Sequence, residues 1–199
     1  MVSRSKELES RLEHTELQLR LIQNISRYLT REAAIPGVLN EIVTLVVEFM
    51  QSDSCLLYLI DHDELVLCAT NAPQPANIGQ VRLRIDEGLT GWVAREHRVL
   101  AISRDAYRDP RFKSFSDLPE DTFEAFLSAP ITVRGRVLGV INVQHRLPHS
   151  HTGGEMELLT TIGELVGSLL MLSQIGSAAA SSLNPVELVL PSGSVVSRP

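Results

Sequence analysis

The chain has 199 residues, of which 44% are hydrophobic and 21% are charged, enough apolar material for one folded domain with attachments. Its formal net charge of −6 excludes a basic nucleic-acid-binding surface. The sequence has no run of about 18 apolar residues, and the N-terminal segment MVSRSKELES lacks the apolar core of a secretory signal. We therefore expect a cytoplasmic protein without a membrane span.

A long helix is predicted for residues 6–30, where apolar residues recur at spacings of four and three. Charged residues lie between them and form a solvated face. A helix this polar must still cover its apolar stripe, either by docking on the domain or by pairing with a second copy. We favour a homodimer through this stripe and the last helix, with the contact made by Leu12, Leu19, Ile22 and Leu29.

A second helix begins at Pro36, which needs no amide partner in a first turn, and runs to Met50. Its apolar face is wide, which indicates burial against a sheet. Two strands follow at residues 54–60 and 65–70, joined by the charged turn 61–64, and a half-exposed strand covers 81–85 after a loop.

The two cysteines, Cys55 and Cys68, are predicted to share one face of adjacent strands as diagonal neighbours. The two cysteines are either buried free thiols or the partners of a redox-sensitive disulfide. Diagonal placement and a reducing cytosol both favour free thiols.

The middle of the chain predicts a short helix at 89–96, a strand at 99–103, an irregular segment at 104–120 and a turn of helix at 121–126. A hairpin then forms from strands 127–133 and 137–145 around Arg134-Gly135. These elements make six strands in a mainly antiparallel sheet, an α+β architecture.

The last helix starts at Thr152, whose spacing to Glu155 fits a capping box. Gly163 and Gly167, four residues apart, are expected to allow close approach of another helix. The composition then becomes small, Ser- and Pro-rich. We expect an N-terminal dimerisation helix over 1–35, a sensor domain over 36–175 and a flexible tail over 176–199.

Three motifs in this order carry a family resemblance: Glu87-Gly88-Leu89-Thr90-Gly91, Asp109-Pro110-Arg111-Phe112, and Phe126-Leu127-Ser128-Ala129-Pro130-Ile131. With them, residues 21–172 resemble the GAF domain family, above all the sensor domain at the front of the nitrogen-branch phosphoenolpyruvate-protein phosphotransferases. The resemblance implies a bacterial signalling protein. It also implies terminal helices on one sheet face and a segment 88–126 that roofs a ligand pocket on the other.

A ligand site is predicted under this roof, because aromatic walls with a few polar groups are typical of small-molecule pockets. The alternative is that the rings only fill a satellite core. Arg111 is the candidate anchor for an anion, since Pro110 fixes its backbone; a solvated local ion pair is its alternative role. The resemblance suggests nitrogen-status metabolites such as glutamine or 2-oxoglutarate. The candidate ligand-binding residues are Trp92, Ile102, Ser103, Asp105, Tyr107, Arg111, Phe112, Phe123, Phe126 and Ser128.

Catalysis and metal binding are not expected. No cysteine follows Thr70, so the pocket thiols of GAF-type methionine sulfoxide reductases are missing, and Ser128 has no triad partner at a recognisable spacing. The histidines 145, 149 and 151 straddle Pro148 without Cys support, and we assign them no metal. The sequence does not identify a cofactor. The rival functions are a structural dimerisation module with a filled pocket, and a redox enzyme that depends on Cys55 or Cys68.

Overall fold

The computed structural model describes residues 34–71, 78–112, 123–176, 184–186 and 189–190, together with positions 12, 15, 16, 19, 22, 23, 26 and 27. All eight of these isolated positions are helical, in agreement with the predicted N-terminal helix. Leu29 lies outside the described residues.

Six strands form one sheet in which every neighbouring pair is antiparallel. The spatial order is β3-β2-β1-β6-β5-β4, so the hairpin strands lie beside the first strand at the centre of the sheet. This confirms the predicted antiparallel α+β fold. The strands are β1 (Ser54–Asp61), β2 (Glu64–Thr70), β3 (Arg82–Arg84), β4 (Leu100–Ile102), β5 (Ala125–Val133) and β6 (Arg136–His145).

Two helices cover one face of the sheet, and one helix covers the other. Helices α1 (Ile35–Met50) and α3 (Gly153–Gly176) pack on the face that carries Leu57, Leu127 and Ile141; we call this the helix-side core. Helix α2 (Gly88–Glu96) packs on the opposite face, with Tyr58, Leu67, Phe126 and Val140; we call this the cover-side core. The arrangement is the one that the family resemblance implied.

The helix ends follow from local chemistry. In α1, Pro36 occupies the first turn, and the helix ends at Gln51 with φ 48°, whose amide donates to the Val47 carbonyl. Before α3, the Glu155 amide donates to Thr152 Oγ1 at 3.2 Å, and the Thr152 amide donates to Glu155 Oε2 at 2.6 Å. The predicted capping box is confirmed.

The prediction that Gly163 and Gly167 admit another helix was wrong. They face β5 of the same domain, where an added Cβ would collide with the carbonyl oxygens of Pro130 and Thr132. By length and composition, Gly153–Ser173 could cross a membrane. In the fold, the side of α3 that includes Leu159, Ile162 and Val166 is packed in the helix-side core.

Strand β5 begins at Ala125, so Phe126 lies in a strand rather than in the expected turn of helix. The residue pairing explains this, since Ala125 and Phe126 extend the ladder with His145 and Gln144 of β6. Phe123 and Glu124 lie outside any helix, and Asp121 and Thr122 fall outside the described residues.

The C-terminal segment was expected to be flexible, but its described residues pack on the domain. Val186 and Val189 are each 3% exposed within the helix-side core. Asn184 Nδ2 donates to Asp61 Oδ1 at 2.8 Å. Apolar residues in an otherwise small, polar segment account for this docking.

Candidate functional site

A line of polar side chains runs across the sheet under α2. In β5 and β6, Ser128 pairs with Asn142, and Phe126 pairs with Gln144. Directly opposed residues in an antiparallel ladder point to the same face, and residues two apart on one strand do so as well. Because Phe126 and Val140 belong to the cover-side core, Ser128, Asn142 and Gln144 lie on that face too.

Hydrogen bonds tie two of these side chains, Ser128 and Asn142, to the covering helix. Ser128 Oγ donates to Asn142 Oδ1 at 2.6 Å, and Asn142 Nδ2 donates to Thr90 Oγ1 at 2.9 Å. Ser128 and Asn142 are almost fully buried, and Thr90 is 7% exposed. We call Thr90, Ser128, Asn142 and Gln144 the polar patch. Its hydrogen bonds hold α2 at a fixed position on the sheet.

Gln144 is the member of the polar patch that lacks a complete set of partners. It is 9% exposed, and its Oε1 is buried without a hydrogen-bond partner among the described residues. A buried acceptor that is left unpaired costs about 1–3 kcal/mol. A buried acceptor of this kind needs a partner from outside the described residues, such as a water molecule or a ligand.

Apolar and aromatic side chains flank the polar patch. Phe126 is buried in the cover-side core, and Trp92, Ile102 and Phe112 are partly buried against that core. The structure therefore brings these four predicted residues together on the sheet face that Ser128 shares. Phe123 is partly buried just before β5.

Arg111, the predicted anion anchor, is engaged by its own loop. Its Nε donates to Asp109 Oδ1 at 2.9 Å, and its NH2 group donates to Asp109 Oδ2 at 2.7 Å. The guanidinium carbon lies 4.8 Å from the centre of the Trp92 ring, in cation–π range. Hydrogen bonding by Arg111 lowers the pKa of Asp109. Asp109 engages two of the five N–H donors of the guanidinium, so a ligand carboxylate would share Arg111 with Asp109.

The remaining predicted residues form the base of the loop beside the polar patch. Asp105 has φ 54°, a conformation that Asp tolerates, and its amide donates to Glu124 Oε2 at 2.9 Å. Tyr107 donates its hydroxyl to Asp105 Oδ1 at 3.1 Å. Ser103 is exposed, and its carbonyl accepts from the His149 amide. Ser103 is thus hydrogen-bonded to the segment between β6 and α3 that carries His149.

Both cysteines are buried free thiols in the helix-side core, on the face opposite the polar patch. Burial raises the pKa of Cys68 to about 12 and raises that of Cys55 further. Neither thiol can supply a thiolate near neutral pH, which a redox enzyme at this site would require.

Three histidines meet where β6 ends and α3 begins. One candidate ligand atom from each of His145, His149 and His151 lies within 4.8 Å of the others. The rings of His145 and His149 are stacked, with centroids 4.1 Å apart. His149 Nε2 lies 2.8 Å from Glu155 Oε1. Burial lowers the pKa of His145 and brings that of His151 to about 4.

An open groove of about 570 Å³ lies away from the polar patch, between the β5–β6 turn and α3. Arg134, Glu164, Ser168 and Leu172 are among the residues that line it. None of the predicted ligand-binding residues lines this groove.

Sequence reasoning missed Asn142, Gln144 and Thr90 as site residues. A signal was present, because Asn142 and Gln144 sit two apart in the otherwise apolar strand VINVQ. In a strand with both faces buried, two polar residues at a spacing of two predict one polar line under the cover. Glu124, whose carboxylate accepts from the Asp105 amide at the loop base, had no such signal in the sequence.

A model of the GAF domain family matches residues 35–170. The "Phosphoenolpyruvate-dependent phosphotransferase system" protein of Salmonella typhimurium is 34% identical over 139 residues, 69% of this chain and 18% of that protein. The "Nif-specific regulatory protein" of Azospirillum lipoferum is 24% identical over 168 residues, 81% of this chain and 27% of that protein. The chain therefore spans about a fifth to a quarter of the length of these relatives.

Among solved structures, the GAF domain from a phosphoenolpyruvate-protein phosphotransferase of Coxiella burnetii is similar, with a TM-score of 0.74 and 25% identity. The match covers 81% of this chain and 96% of that chain.

Proposed function

The chain belongs to the GAF domain family, and we propose that it is a small-molecule-sensing regulatory domain in signal transduction. The observation that carries the proposal is Oε1 of Gln144, which is buried in the polar patch without a hydrogen-bond partner among the described residues. A purely structural core would be more stable with an apolar side chain at this position. A bound ligand would satisfy the acceptor and remove its cost.

The ligand is a small polar metabolite, and the groups of the site limit which functional groups it can carry. The Oε1 atom of Gln144 accepts hydrogen bonds, so it selects a ligand that carries an N–H or O–H donor. Arg111 would take an anionic end through the N–H donors that Asp109 does not engage. An amino acid with a side-chain amide, such as glutamine, offers both groups. 2-Oxoglutarate offers only the anionic end.

Ligand binding would act through the polar patch on the position of α2 and of the loop after β4. Because the loop base is held by Glu124 just before β5, ordering of the loop and registration of β5 are linked. The domain would exchange between two arrangements of α2 and the loop, one with ligand and one without. A ligand shifts the equilibrium between them only by its difference in affinity for the two. The proposed output is a change in the packing of the terminal helices.

We further propose a homodimer, formed through Leu12, Leu19, Ile22, Leu29 and the last helix. Leu12 and Leu19 are 60% and 56% exposed, and Leu172 on α3 is 59% exposed. Ile22 packs partly against the helix-side core of its own chain. Exposed leucines on a helix that also touches the core support a dimer contact that can respond to the domain. The domain boundaries at 35/36 and 175/176 and a cytoplasmic location belong to the same proposal.

Native mass spectrometry of freshly purified protein, followed by denaturing release, tests the proposal. We expect a dimer that carries a defined small molecule with a hydrogen-bond donor. The Gln144→Leu variant, prepared in parallel, should be a dimer of bare chain mass. Retention of the same small molecule by both proteins would contradict the assignment of the site.

A structural dimerisation module is the second candidate, and the filled aromatic surround of the polar patch favours it. Trp92, Phe112 and Phe126 all pack in or against the cover-side core. The two functions separate in a monomeric variant. A sensor that has been made monomeric should still bind its ligand, whereas a dimerisation module would retain no function.

A further inference from the structure

We propose that His145, His149 and His151 form a site for a divalent transition metal of the Zn²⁺ type, held at the junction of β6 and α3. The inference rests on the convergence of three imidazoles and on two orphaned ring nitrogens. It is independent of the sensing function proposed above. We call these three residues the histidine cluster.

The nitrogen atoms of the histidine cluster are already close. One ligand atom from each residue lies within 4.8 Å of the others. A tetrahedral Zn²⁺ with bonds of 2.0–2.1 Å needs its nitrogen ligands about 3.3 Å apart. Tilting of the stacked rings of His145 and His149 would close the difference.

Two of the three rings have a nitrogen that nothing satisfies. Nε2 of His145 and Nε2 of His151 are both buried without hydrogen-bond partners among the described residues. Each such nitrogen costs free energy in the absence of a ligand. A metal ion bound by both nitrogens would satisfy the two at once.

The third ring has a carboxylate partner, as metal-bound histidines commonly do. His149 Nε2 lies 2.8 Å from Glu155 Oε1, with the carboxylate 11% exposed. A carboxylate that holds one ring nitrogen orients the imidazole and leaves Nδ1 for the metal. Glu155 is fixed in turn, because its other oxygen accepts the Thr152 amide in the capping box.

The backbone around the cluster is held in place from several sides. The His149 amide donates to the Ser103 carbonyl, and the His145 carbonyl accepts from the Glu124 amide. The Arg146 amide donates to Asp53 Oδ2 at 2.8 Å. Held ligand-bearing segments lower the entropic cost of binding a metal. The side chain of His149 is 33% exposed and gives the metal a path from solvent.

Three imidazoles with a carboxylate behind one of them suit Zn²⁺, Co²⁺, Ni²⁺ or Cu²⁺ rather than Mg²⁺ or Ca²⁺, which prefer oxygen ligands. With three protein ligands, a tetrahedral ion keeps its fourth position open to solvent or to a small anion. The site touches Ser103 and Glu124, so metal binding would also stiffen the base of the cover loop.

Isothermal titration of EDTA-treated, dialysed protein with ZnCl₂ tests the proposal. We expect one Zn²⁺ per chain, and Co²⁺ in its place should give visible absorption bands from a low-coordinate nitrogen site. His149→Gln and His151→Gln should each weaken Zn²⁺ binding by about 100-fold or more. Glu155→Gln keeps the capping-box pattern and should weaken binding by about 10-fold.

His97→Asn is the matched control, because His97 is an exposed histidine with φ 56° at the end of α2, a conformation that Asn adopts readily. It should bind Zn²⁺ as the unmodified chain does. Thermal unfolding in EDTA establishes that each variant folds. If a cluster variant fails to fold, the test depends on the Co²⁺ spectrum of the unmodified chain and on the Zn²⁺ affinity of Glu155→Gln. Absence of the Co²⁺ bands, or an unchanged affinity in Glu155→Gln, would then count against the site. Equal affinity in His97→Asn, His149→Gln and His151→Gln, or no Zn²⁺ binding at all, would overturn the site.

Discussion

Asn142 on the inner strand β6 donates from Nδ2 to Thr90 Oγ1 on helix α2 at 2.9 Å, across 52 positions of sequence. The same side chain accepts from Ser128 Oγ through its Oδ1 at 2.6 Å. One amide therefore links the sheet floor to the helix that covers it. Any displacement of α2 must break this link or carry it along.

Replacement of Asn142 by leucine tests the strength of this link. Asn142→Leu removes both hydrogen bonds and leaves two buried hydroxyls unpaired, so the free energy of unfolding should fall by about 2–3 kcal/mol. Urea denaturation measures the change. The control is Asn40→Leu on the exposed side of α1, which should stay within about 0.5 kcal/mol of the unmodified chain. A similar loss of unfolding free energy in both variants would show that the hydrogen bonds of Asn142 do not stabilise the fold.

The close approach of α3 to β5 makes Gly167 a sensitive position. Gly167→Ala places a methyl group against the Thr132 carbonyl, and the free energy of unfolding should fall by about 1–3 kcal/mol. Gly37→Ala in α1 meets no atom within 4 Å among the described residues, and it should gain about 0.5–1 kcal/mol. Thermal or urea unfolding should show a lower unfolding free energy for Gly167→Ala and a higher one for Gly37→Ala. A stabilised Gly167→Ala would contradict the packing of α3 on β5.

The lowered pKa of Asp61 predicts that the folded protein loses stability in acid. Burial alone would raise the pKa of Asp61, but hydrogen bonds with His62, Asn184 and Arg82 outweigh it and lower the pKa overall. A carboxyl whose folded pKa is lowered contributes stability above the unfolded value of about 3.9, and this is lost as pH falls through the folded pKa.

Asp61→Asn should therefore show a flatter decline in unfolding free energy below about pH 4 than the unmodified chain does. Urea denaturation at a series of pH values measures the slope. Asp63→Asn, in the same turn and exposed, is the control and should follow the unmodified chain. If Asp61→Asn declines as steeply as the control, the network around Asp61 does not contribute in the way that we describe.

The proposed dimer makes a prediction about Leu19 and Ile22. Replacement of both by glutamate puts charge on the proposed contact, so the dimer should dissociate. Analytical ultracentrifugation measures the mass in solution. Leu147→Glu, at a residue that is 75% exposed outside the proposed contact, should leave the dimer intact. A monomeric unmodified chain, or a double variant that stays dimeric, would rule out this interface.

The architecture could be predicted because its signals are local. The alternation of apolar residues in the strands, Pro36 at a helix start and the spacing of Thr152 to Glu155 each depend on a few neighbouring residues. The order of motifs around Gly88, Pro110 and Phe126 then matched a family whose topology fixes the rest. The elements that were misjudged depend on distant partners. Gly163 and Gly167 could serve a helix or a strand equally well, and only the fold shows that β5 fills the space.

The aromatic surround of the candidate site could be predicted from the sequence, whereas the polar residues Asn142 and Gln144 on its floor were not predicted. Aromatic residues near the cover drew attention because they cluster in sequence. Gln144 and Asn142 are separated from Thr90 by about fifty positions, and their shared face appears only when β5 and β6 pair in register. The histidine cluster was assigned no metal because it straddles Pro148, yet the chain bends at Arg146 and Leu147 and the rings of His145 and His149 stack 4.1 Å apart.

The central claim is that Gln144 is left unpaired for a ligand, and a thermal-shift screen of small amides, amino acids and carboxylates tests it most directly. Glutamine and 2-oxoglutarate belong in the panel, together with the Gln144→Leu and His97→Asn variants. Without ligand, Gln144→Leu should be as stable as the unmodified chain or more stable by about 1 kcal/mol, since it removes an unsatisfied acceptor.

A donor-bearing metabolite should raise the unfolding temperature of the unmodified chain and of His97→Asn, and it should leave Gln144→Leu unchanged. The account is contradicted if the metabolite stabilises Gln144→Leu as strongly as the unmodified chain, or if Gln144→Leu is markedly less stable without any ligand.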